Sequence, residues 1–273
     1  MRALLTSWLW LLRRGRSGLI ALLLGVALFE LIQPVAIASL GNLTRLDALL
    51  TLVPKSFYAL MNVTPDFLQA AGLAGYLALG FTHPVYHLLS SATVIWFAGR
   101  VLAGEMERGT IQLALSRPVS RPGLYLARVL GLLAVTLAVA VVGPLGMIAG
   151  ILLANPDGSV DFARFLPTAL AAALLIWAVV GVALLSSAAA DRMGQAVGWV
   201  IAALVVSYVI DYFAAIWAAL QPLEPLSIFD YYDPGLALSA GTLPSTNIVV
   251  LAAVGLIGTL AGLLVFTRRD LPV

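Results

Sequence analysis

The chain has 273 residues, of which 62% are hydrophobic and only 10% are charged, and its mean hydropathy is +1.03. This composition excludes an ordinary soluble domain and is typical of helices that cross a bilayer. The pI is about 9.1, but the basic residues flank apolar runs and form no solvated patch, which argues against a nucleic-acid partner. The chain has no cysteine, which excludes disulfide and zinc-thiolate chemistry.

The N-terminal stretch, residues 1–17, reads "MRALLTSWLWLLRRGRS". Its charges follow the apolar part, the reverse of a signal peptide, and no small-residue cleavage site precedes the next apolar run. Trp8 and Trp10 suit the headgroup region and the arginine cluster suits anionic lipid. The stretch therefore predicts an amphipathic helix that lies in the inner membrane interface.

Six apolar segments each have roughly the 20 residues that a transmembrane helix needs. They cover residues 19–40, 84–103, 127–153, 166–188, 196–219 and 247–267. The predicted fold class is therefore all-α, with a single transmembrane domain over residues 1–273. The pairs Gly146/Gly150 and Gly258/Gly262 have the spacing that lets helix backbones approach, and we expect them to pack inside one subunit.

Two acidic residues, Glu30 and Asp211, fall inside predicted spans. A carboxylate at mid-bilayer costs about 2.5–3.5 kcal/mol on insertion scales, so each side chain should face the protein interior, a partner or water. For Glu30 two interpretations stay open: a polar point on a substrate path or a proton site, and a helix-to-helix contact. For Asp211 a structural contact is favoured, with Tyr208 or Tyr212 as neighbours.

The segment 41–83 is long for a loop between spans. Within it, Thr64 has the character of an N-cap, Pro65 suits the first helical position and Asp66 suits the first turn. We expect one or two short interfacial helices here, because the apolar part is too short to span. His83 and His87 follow, four residues apart. Two histidines make a weak metal site, so interfacial hydrogen bonding is favoured and no metal site is predicted.

The stretch "GEMERGTIQLALSRPVSR", residues 104–121, crowds charges and glycines between two apolar runs. Gly104 and Gly109 should break the preceding helix, and Thr110 could cap a short new helix. Ile111 and Leu115 then share a face with Leu113 and Ala114 beside them, until Pro118 ends the helix. Exposed apolar residues bounded by charge indicate a docking helix for a partner; the alternative is an interfacial loop with snorkelling arginines.

The basic residues are strongly biased to one side of the six predicted spans. Twelve arginines fall on the side of the termini, and only Arg45, Lys55 and Arg164 fall on the other. By the positive-inside rule, this places both termini in the cytoplasm of a multi-pass protein of the cell's inner membrane.

A Walker-type ATP site needs a glycine-rich loop followed by lysine. The single lysine, Lys55, lies in "VPKSF" without such a loop. The chain also has no zinc-hydrolase or nucleophile-elbow motif. We therefore expect no catalytic residue, no metal and no cofactor bound by this chain.

The stretch "AGEMERGTIQLALSRPVSRPGLYLAR" resembles the Gly-Glu-x-Glu-x-Gly-Thr…Leu-x-x-Pro-Val-Ser-Arg signature of ABC type-2 transporter permeases. "GFTHP", "LSIFDYYDP" and the closing "FTRRDL" are similar to other segments of that family. Together with the size and the six-span layout, the resemblance covers nearly the whole chain.

The resemblance implies a permease that pairs with a second copy or homologue, usually in an exporter, above two ABC ATPase subunits that bind ATP and Mg²⁺. It implies an elbow helix over residues 1–17 and a coupling helix within 104–123. The docking residues it implies are Glu105, Glu107, Arg108, Gly109, Thr110, Leu113, Leu115, Pro118, Val119, Ser120 and Arg121. This chain departs from the family at Ala114–Ser116, where many members carry a leucine run.

Three further functions compete with the exporter: an ATP-driven mechanotransmitter, a lipid-moving unit, and an intramembrane scaffold or enzyme without an ATPase. A neighbouring gene for an ABC ATPase would separate the last of these from the others.

Overall fold

The computed structural model describes residues 2–41, 45–46, 48, 52–116 and 119–270, with the side chains of residues 2–15, Lys55, Ala114 and Leu115 left out. Over this part of the chain the secondary structure is helical and no β-strand occurs. The predicted all-α class is confirmed.

Five helices are long and apolar enough to cross a membrane. They are α1 (Arg2–Ser39), α8 (Arg121–Ala154), α9 (Phe165–Ala189), α10 (Met193–Ala214) and α12 (Ser245–Arg268). The shorter helices are α2 (Lys55–Leu60), α3 (Pro65–Ala71), α4 (Leu73–Thr82), α5 (Pro84–Val101), α6 (Ala103–Glu107), α7 (Thr110–Leu115) and α11 (Pro234–Ala240), with 3₁₀ turns at Phe162–Arg164 and Ala218–Leu226.

The second predicted span corresponds to the helix α5, which has 18 residues and is not among the five that are long and apolar enough to cross a membrane. Two of its polar groups are satisfied inside the helix, because Ser90 Oγ donates to the Tyr86 carbonyl (2.7 Å) and Thr93 Oγ1 donates to the Leu89 carbonyl (2.8 Å). α5 packs against α1, α8, α9 and α10. It therefore lies among the long helices rather than on their surface.

The predicted span 196–219 ends too late. The helix stops at Ala214, and residues Ala218–Leu226 wind as a 3₁₀ helix that contains Pro222 and Pro225. The apolar composition runs past Ala214, so hydropathy alone does not mark this end. Proline cannot donate the backbone hydrogen bond that an α-helix would need beyond it.

The predicted elbow is not a separate element, since α1 is one continuous helix of 38 residues from Arg2 to Ser39. No proline interrupts it before Pro34. The interfacial position of residues 1–17 stays a prediction.

Side-chain contacts define two ends of the helix bundle. One end, which we name the coupling end, is where residues 102–116, 119–121, 187–193 and 267–270 meet. Residues 52–83, 155–165 and 215–244 lie at the other, the opposite end. α1 starts at the coupling end, because Gly18 lies beside Trp96 of α5 while Phe29 lies beside His83. Both termini of the described chain are therefore on the same side.

α9 is the central helix, because 61% of the residues in its most apolar stretch are buried. α10 is the most peripheral of the five long helices, because only 11% of the residues in the corresponding stretch are buried. Glycines let the central helices touch. A Cβ at Gly146 or Gly150 would overlap the α1 backbone, and a Cβ at Gly258 would overlap Gly181 of α9. The expected packing of these glycines inside one subunit is confirmed.

The segment 41–83 holds three described helices, α2, α3 and α4. Thr64 caps α3 as predicted: its side chain accepts from the Phe67 N–H at 3.2 Å, and Pro65 takes the first helical position. The interfacial position of the segment stays a prediction, but α4 is not exposed as a surface helix would be. Nine of its ten residues are buried, because it packs between α1 and α11. Its apolar residues are thus covered by protein.

Candidate functional site

The candidate site begins where α5 breaks. The break was expected at Gly104, but it falls at Leu102, whose φ and ψ are −128° and −72°. Ser187 of α9 satisfies the two backbone groups that the break leaves open: its hydroxyl accepts from the Ala103 N–H and donates to the Ala98 carbonyl, both at 3.0 Å. The start of α6 is thereby fixed to the central helix.

Gly104 lies inside α6 and is buried. A Cβ there would stand 3.2 Å from the Gly99 carbonyl and 3.3 Å from the Arg108 guanidinium. The glycine therefore serves close packing, and not the helix break that the sequence suggested.

Glu105 points into the protein and binds Arg128 of α8. One guanidinium nitrogen lies 2.9 and 3.1 Å from the two carboxylate oxygens, and both residues are at most 5% exposed. Burial raises the pKa of the Glu105 carboxyl, and Arg128 acts in the opposite direction. Since both oxygens are occupied inside the chain, Glu105 positions the segment here and presents no free surface to a partner.

Glu107 is exposed, yet its carboxylate also has a partner within the chain. Its Oε2 accepts from the backbone N–H of Met193 at 3.0 Å, and Met193 is the first residue of α10. A helix N-terminus has unpaired N–H groups and a partial positive charge, so a carboxylate there stabilises the helix. Glu107 thus connects the end of α6 directly to the peripheral helix.

The short helix α7 starts one residue earlier than a Thr110 cap would place it. Gly109 is the N-cap, at φ +65°, a left-handed conformation that glycine adopts without strain. The Thr110 hydroxyl donates instead to the Glu105 carbonyl at 3.3 Å. Ile111 turns inward and is 3% exposed, whereas Leu113 turns outward and is 70% exposed. The helix presents one anchored face and one free face.

The remaining predicted docking residues lie before α7, at its end and after it. Arg108 and Gly109 are exposed and Val119 is half-buried, while the Leu115 side chain and Pro118 lie outside the described residues. Ser120 caps α8 by accepting from the Gly123 N–H at 3.2 Å.

Two arginines at the coupling end bind the carbonyl ends of helices. Arg121 donates to the carbonyls of Thr267 (3.3 Å) and Arg269 (2.8 Å), where α12 ends. Arg269 donates to the carbonyls of Ala188 and Ala190, both at 2.9 Å, where α9 ends, and pairs with Asp191. Positive side chains are favourable at helix C-termini. Segment 103–121 is therefore bound to α8, α9, α10 and α12.

The two acids of the predicted spans are both buried, at 0% exposure for Glu30 and 7% for Asp211. Asp211 lies beside Ser227, Asp230 and Glu224 at the opposite end. Of the two tyrosines expected as its neighbours, Tyr208 and Tyr212, the first donates its hydroxyl to the Leu60 carbonyl at 2.7 Å. The structure does not bring the two acids together with the coupling segment.

Of the two histidines, His83 makes the kind of hydrogen bond that the sequence favoured, whereas His87 has mainly ring contacts. Nδ1 of His83 accepts from the Val85 N–H at 3.1 Å and so caps α5. His87 packs among aromatic rings, with Phe229 at 5.1 Å between centroids. Within the described part of the chain, no group of three or more potential metal ligands occurs.

An apolar groove runs between α5 and α10. Its volume is about 520 Å³, and almost all of its lining is carbon. It extends from Met193 and Trp96 at the coupling end to His87 and Tyr208 toward the opposite end. Sequence reasoning did not find this groove, because the face of α10 that lines it is as apolar as its other faces.

The described chain is a helical membrane domain with a charged segment at one end, and this segment is bound to four long helices. The family model of the ABC-2 family transporter proteins matches residues 12–271, so the chain belongs to this family. It is a multi-pass membrane permease subunit that works with an ABC ATPase, and is not itself the ATPase. A search of curated proteins finds no match.

Proposed function

We propose that the chain is one half of the membrane part of an ABC exporter and that its segment 104–123 docks on a separate ATPase. The ATPase binds ATP and Mg²⁺. The single observation that carries the docking is the free face of α7: Leu113 is 70% exposed on a helix whose other face is anchored by the buried Ile111. An apolar side chain of this exposure beside charged residues outside the membrane is typical of an interface anchor.

The contacts of the segment support a transmission route. A movement of α6 and α7 reaches α9 through Ser187, α8 through Glu105 and α10 through Glu107. Because the contacts through Ser187 and Glu105 are buried, the segment moves with α9 and α8 rather than sliding over them. ATP-driven closure of two ATPases would rock the helices between two arrangements.

The proposed orientation has six crossings, with α5 as the second and both termini in the cytoplasm of the inner membrane. The packing of α5 among the long helices and the return of both termini to one end support an even number. Twelve of the fifteen basic residues fall on the coupling side in this arrangement.

The proposed dimer places a second copy, or a homologue, against α5 and α10. α10 is the least buried of the five long helices, and the groove beside it is open along one side. A second copy there would close the two grooves into one path. The apolar lining also favours a second candidate function, an ATP-driven lipid-moving unit.

The docking is tested by co-expressing the chain with the ABC ATPase of its own gene neighbourhood and purifying the complex from membranes. Leu113→Ala should weaken co-purification by more than about fivefold, the equivalent of about 1 kcal/mol for a truncated interface anchor. The matched control is Leu166→Ala, since Leu166 is 77% exposed at the opposite end. Equal recovery of the ATPase with both variants would refute docking through this face.

A further inference from the structure

Glu30 is buried in tight packing between α1, α4 and α8. It is 0% exposed. A Cβ added at Gly80 of α4 would stand 2.5 Å from its Oε2, 2.9 Å from Gln33 Cγ and 3.0 Å from Met147 Cε. The carboxyl group therefore packs against the α4 backbone, in space that exists because residue 80 is a glycine.

Among the described residues, neither carboxyl oxygen of Glu30 has a hydrogen-bond partner. Its backbone carbonyl also lacks the usual helical donor, because position 34 is a proline without an N–H. An ionised carboxylate without a partner is very costly in such surroundings. Its charge must therefore be neutralised by something bound at the carboxyl group.

The space around the carboxyl group limits which ligand can bind there. Neither of the two cavities at the opposite end is lined by Glu30. A bare or hydrated metal cation needs space and several oxygen ligands, whereas a proton needs no space and a single oxygen. The surroundings of Glu30 fit a proton.

We propose that Glu30 is a proton-binding site that exchanges its proton with the opposite side of the membrane through Tyr86 and Tyr232. The site lies at the level where α4 meets α1. It is separate from the coupling end and from the apolar groove.

The two tyrosines provide the polar route. Tyr86 is 1% and Tyr232 is 4% exposed, and among the described residues neither hydroxyl group has a hydrogen-bond partner. Both rings contact His87, and the Tyr86 ring adjoins Gly143 together with Val26, which lies one turn before Glu30. Tyr232 also lines a groove of about 580 Å³ at the opposite end, together with Asp230 and Asp233. A phenol both donates and accepts a hydrogen bond, so it can pass a proton along such a row.

Toward the coupling end the described residues provide no comparable route. One turn back along α1, Val26 is 0% exposed, and it adjoins Gly143 together with Phe81 and the Tyr86 ring. The site is therefore open to protons from one side in this arrangement of the helices.

The titratable groups that face Glu30 come from few elements. α5 contributes Tyr86 and the neighbouring His83 and His87, and the loop before α11 contributes Tyr232. The titratable side chains of α8 lie toward the coupling end, and α4 contributes no charged group. His87 contacts the rings of both tyrosines, at 5.9 and 5.5 Å between centroids. A positive charge on either histidine would favour loss of the Glu30 proton.

In the closed packing the Glu30 proton exchanges through the tyrosines. During the transport cycle it leaves to water when the packing of α1 against α4 opens. Separation of α1 from α4 would expose the carboxyl group to water, and the acid would then release H⁺ and remain as the carboxylate. This release step rests on the proposed transport cycle. The binding of the proton does not, so the two can fail separately.

The test uses infrared spectroscopy of the full chain in lipid nanodiscs at pH 7, without an ATPase. A protonated carboxylic acid gives a C=O band that is absent for a carboxylate. We expect such a band in the wild type, lost in Glu30→Gln and kept in Asp211→Asn, which removes the other buried acid of the predicted spans. If no band depends on Glu30, or if adding Na⁺ removes the band, the proton site is refuted.

The route is tested by transferring the protein to D₂O and measuring how fast the C=O band of Glu30 shifts. This measurement does not depend on whether Glu30→Gln folds. Tyr232→Phe should slow the exchange by about 100-fold, the lower range of the effect of a positioned proton-transfer group. Tyr231→Phe is the matched control, because Tyr231 is the neighbouring tyrosine and its hydroxyl donates to the Pro225 carbonyl at 3.2 Å instead. Equal exchange rates in the two variants would overturn the route through Tyr232.

Discussion

Met193, the first residue of α10, donates its backbone N–H to the Glu107 carboxylate at 3.0 Å, although 85 residues separate the two in the sequence. The resemblance to the permease family implies that Glu107 contacts the ATPase. The structure gives its carboxylate a partner inside the chain, on the helix that lines the apolar groove. In the proposed mechanism docking and transmission are therefore adjacent but separable: Leu113 would serve docking and Glu107 would serve transmission.

Replacing Glu107 should separate these two roles. Glu107→Ala removes a helix cap, which costs about 1 kcal/mol, and we expect it to lower the melting temperature while the ATPase still co-purifies. Glu107→Gln keeps an oxygen that accepts a hydrogen bond and should retain most of the stability. If Ala and Gln have the same effect, or if either abolishes co-purification, the capping role is wrong.

The buried pair of Glu105 and Arg128 should show strong coupling in a double-mutant cycle. Removing one partner leaves an uncompensated buried charge, and such changes cost about 3–5 kcal/mol. We expect Glu105→Gln and Arg128→Met each to destabilise the chain strongly, and the double mutant to be more stable than the sum of the two predicts. Thermal unfolding in detergent measures all four variants. Additive effects would contradict the pair.

The sequence allowed much of the fold to be predicted, because apolar length alone marks the long helices. The end of α10 was misplaced, since apolar composition continues beyond Ala214. The burial of α4 was missed because an apolar helix of ten residues reads the same on a membrane surface as inside a protein. Only the fold places it against α1, so the Glu30 site could not be located from the chain order.

At the coupling end the sequence marked the segment but not its internal contacts. An arginine next to an apolar run needs a partner, but the sequence does not single out Glu105 for Arg128, because Glu107 and Asp191 are acids on the same side. Nothing in the sequence indicated that Ser187 bonds to another helix, because a serine in an apolar helix usually bonds to its own backbone. Contacts across 84 residues depend on how the helices pack.

Gly146 should be far less tolerant of a methyl group than a glycine with free space. A Cβ at Gly146 would overlap the Ala27 carbonyl, so Gly146→Ala must push α1 and α8 apart. Overpacking of this kind costs about 1–3 kcal/mol. Gly194→Ala is the control, because nothing lies within 4 Å of its Cβ position in α10. Equal melting temperatures for the two variants would contradict the close packing of α1 on α8.

The proposed orientation is tested by single cysteines, which the natural chain lacks. Ser116 and Asp157 are both exposed, at the coupling end and the opposite end. In intact cells, a membrane-impermeant maleimide should label Asp157→Cys and leave Ser116→Cys unmodified until the cells are opened. The reverse pattern would place the termini outside, and labelling of both would contradict an intact barrier between the two ends.

His83 should make the stability of the opposite end depend on pH. Its Nδ1 accepts the Val85 N–H, which requires the neutral ring, and burial lowers the pKa of His83 from its ordinary value of 6.5. Because the pKa is lower in the folded chain, the unfolded chain binds more protons in this range. The stabilisation is therefore complete above about pH 6.5 and is lost as the pH falls through the lowered pKa. His83→Asn keeps a capping side chain that does not titrate. The melting temperature of this variant should fall less than that of the wild type between neutral and acidic pH, because no ring has to take up a proton. If the two melting curves shift in parallel, the capping imidazole of His83 is not the group that links the start of α5 to pH.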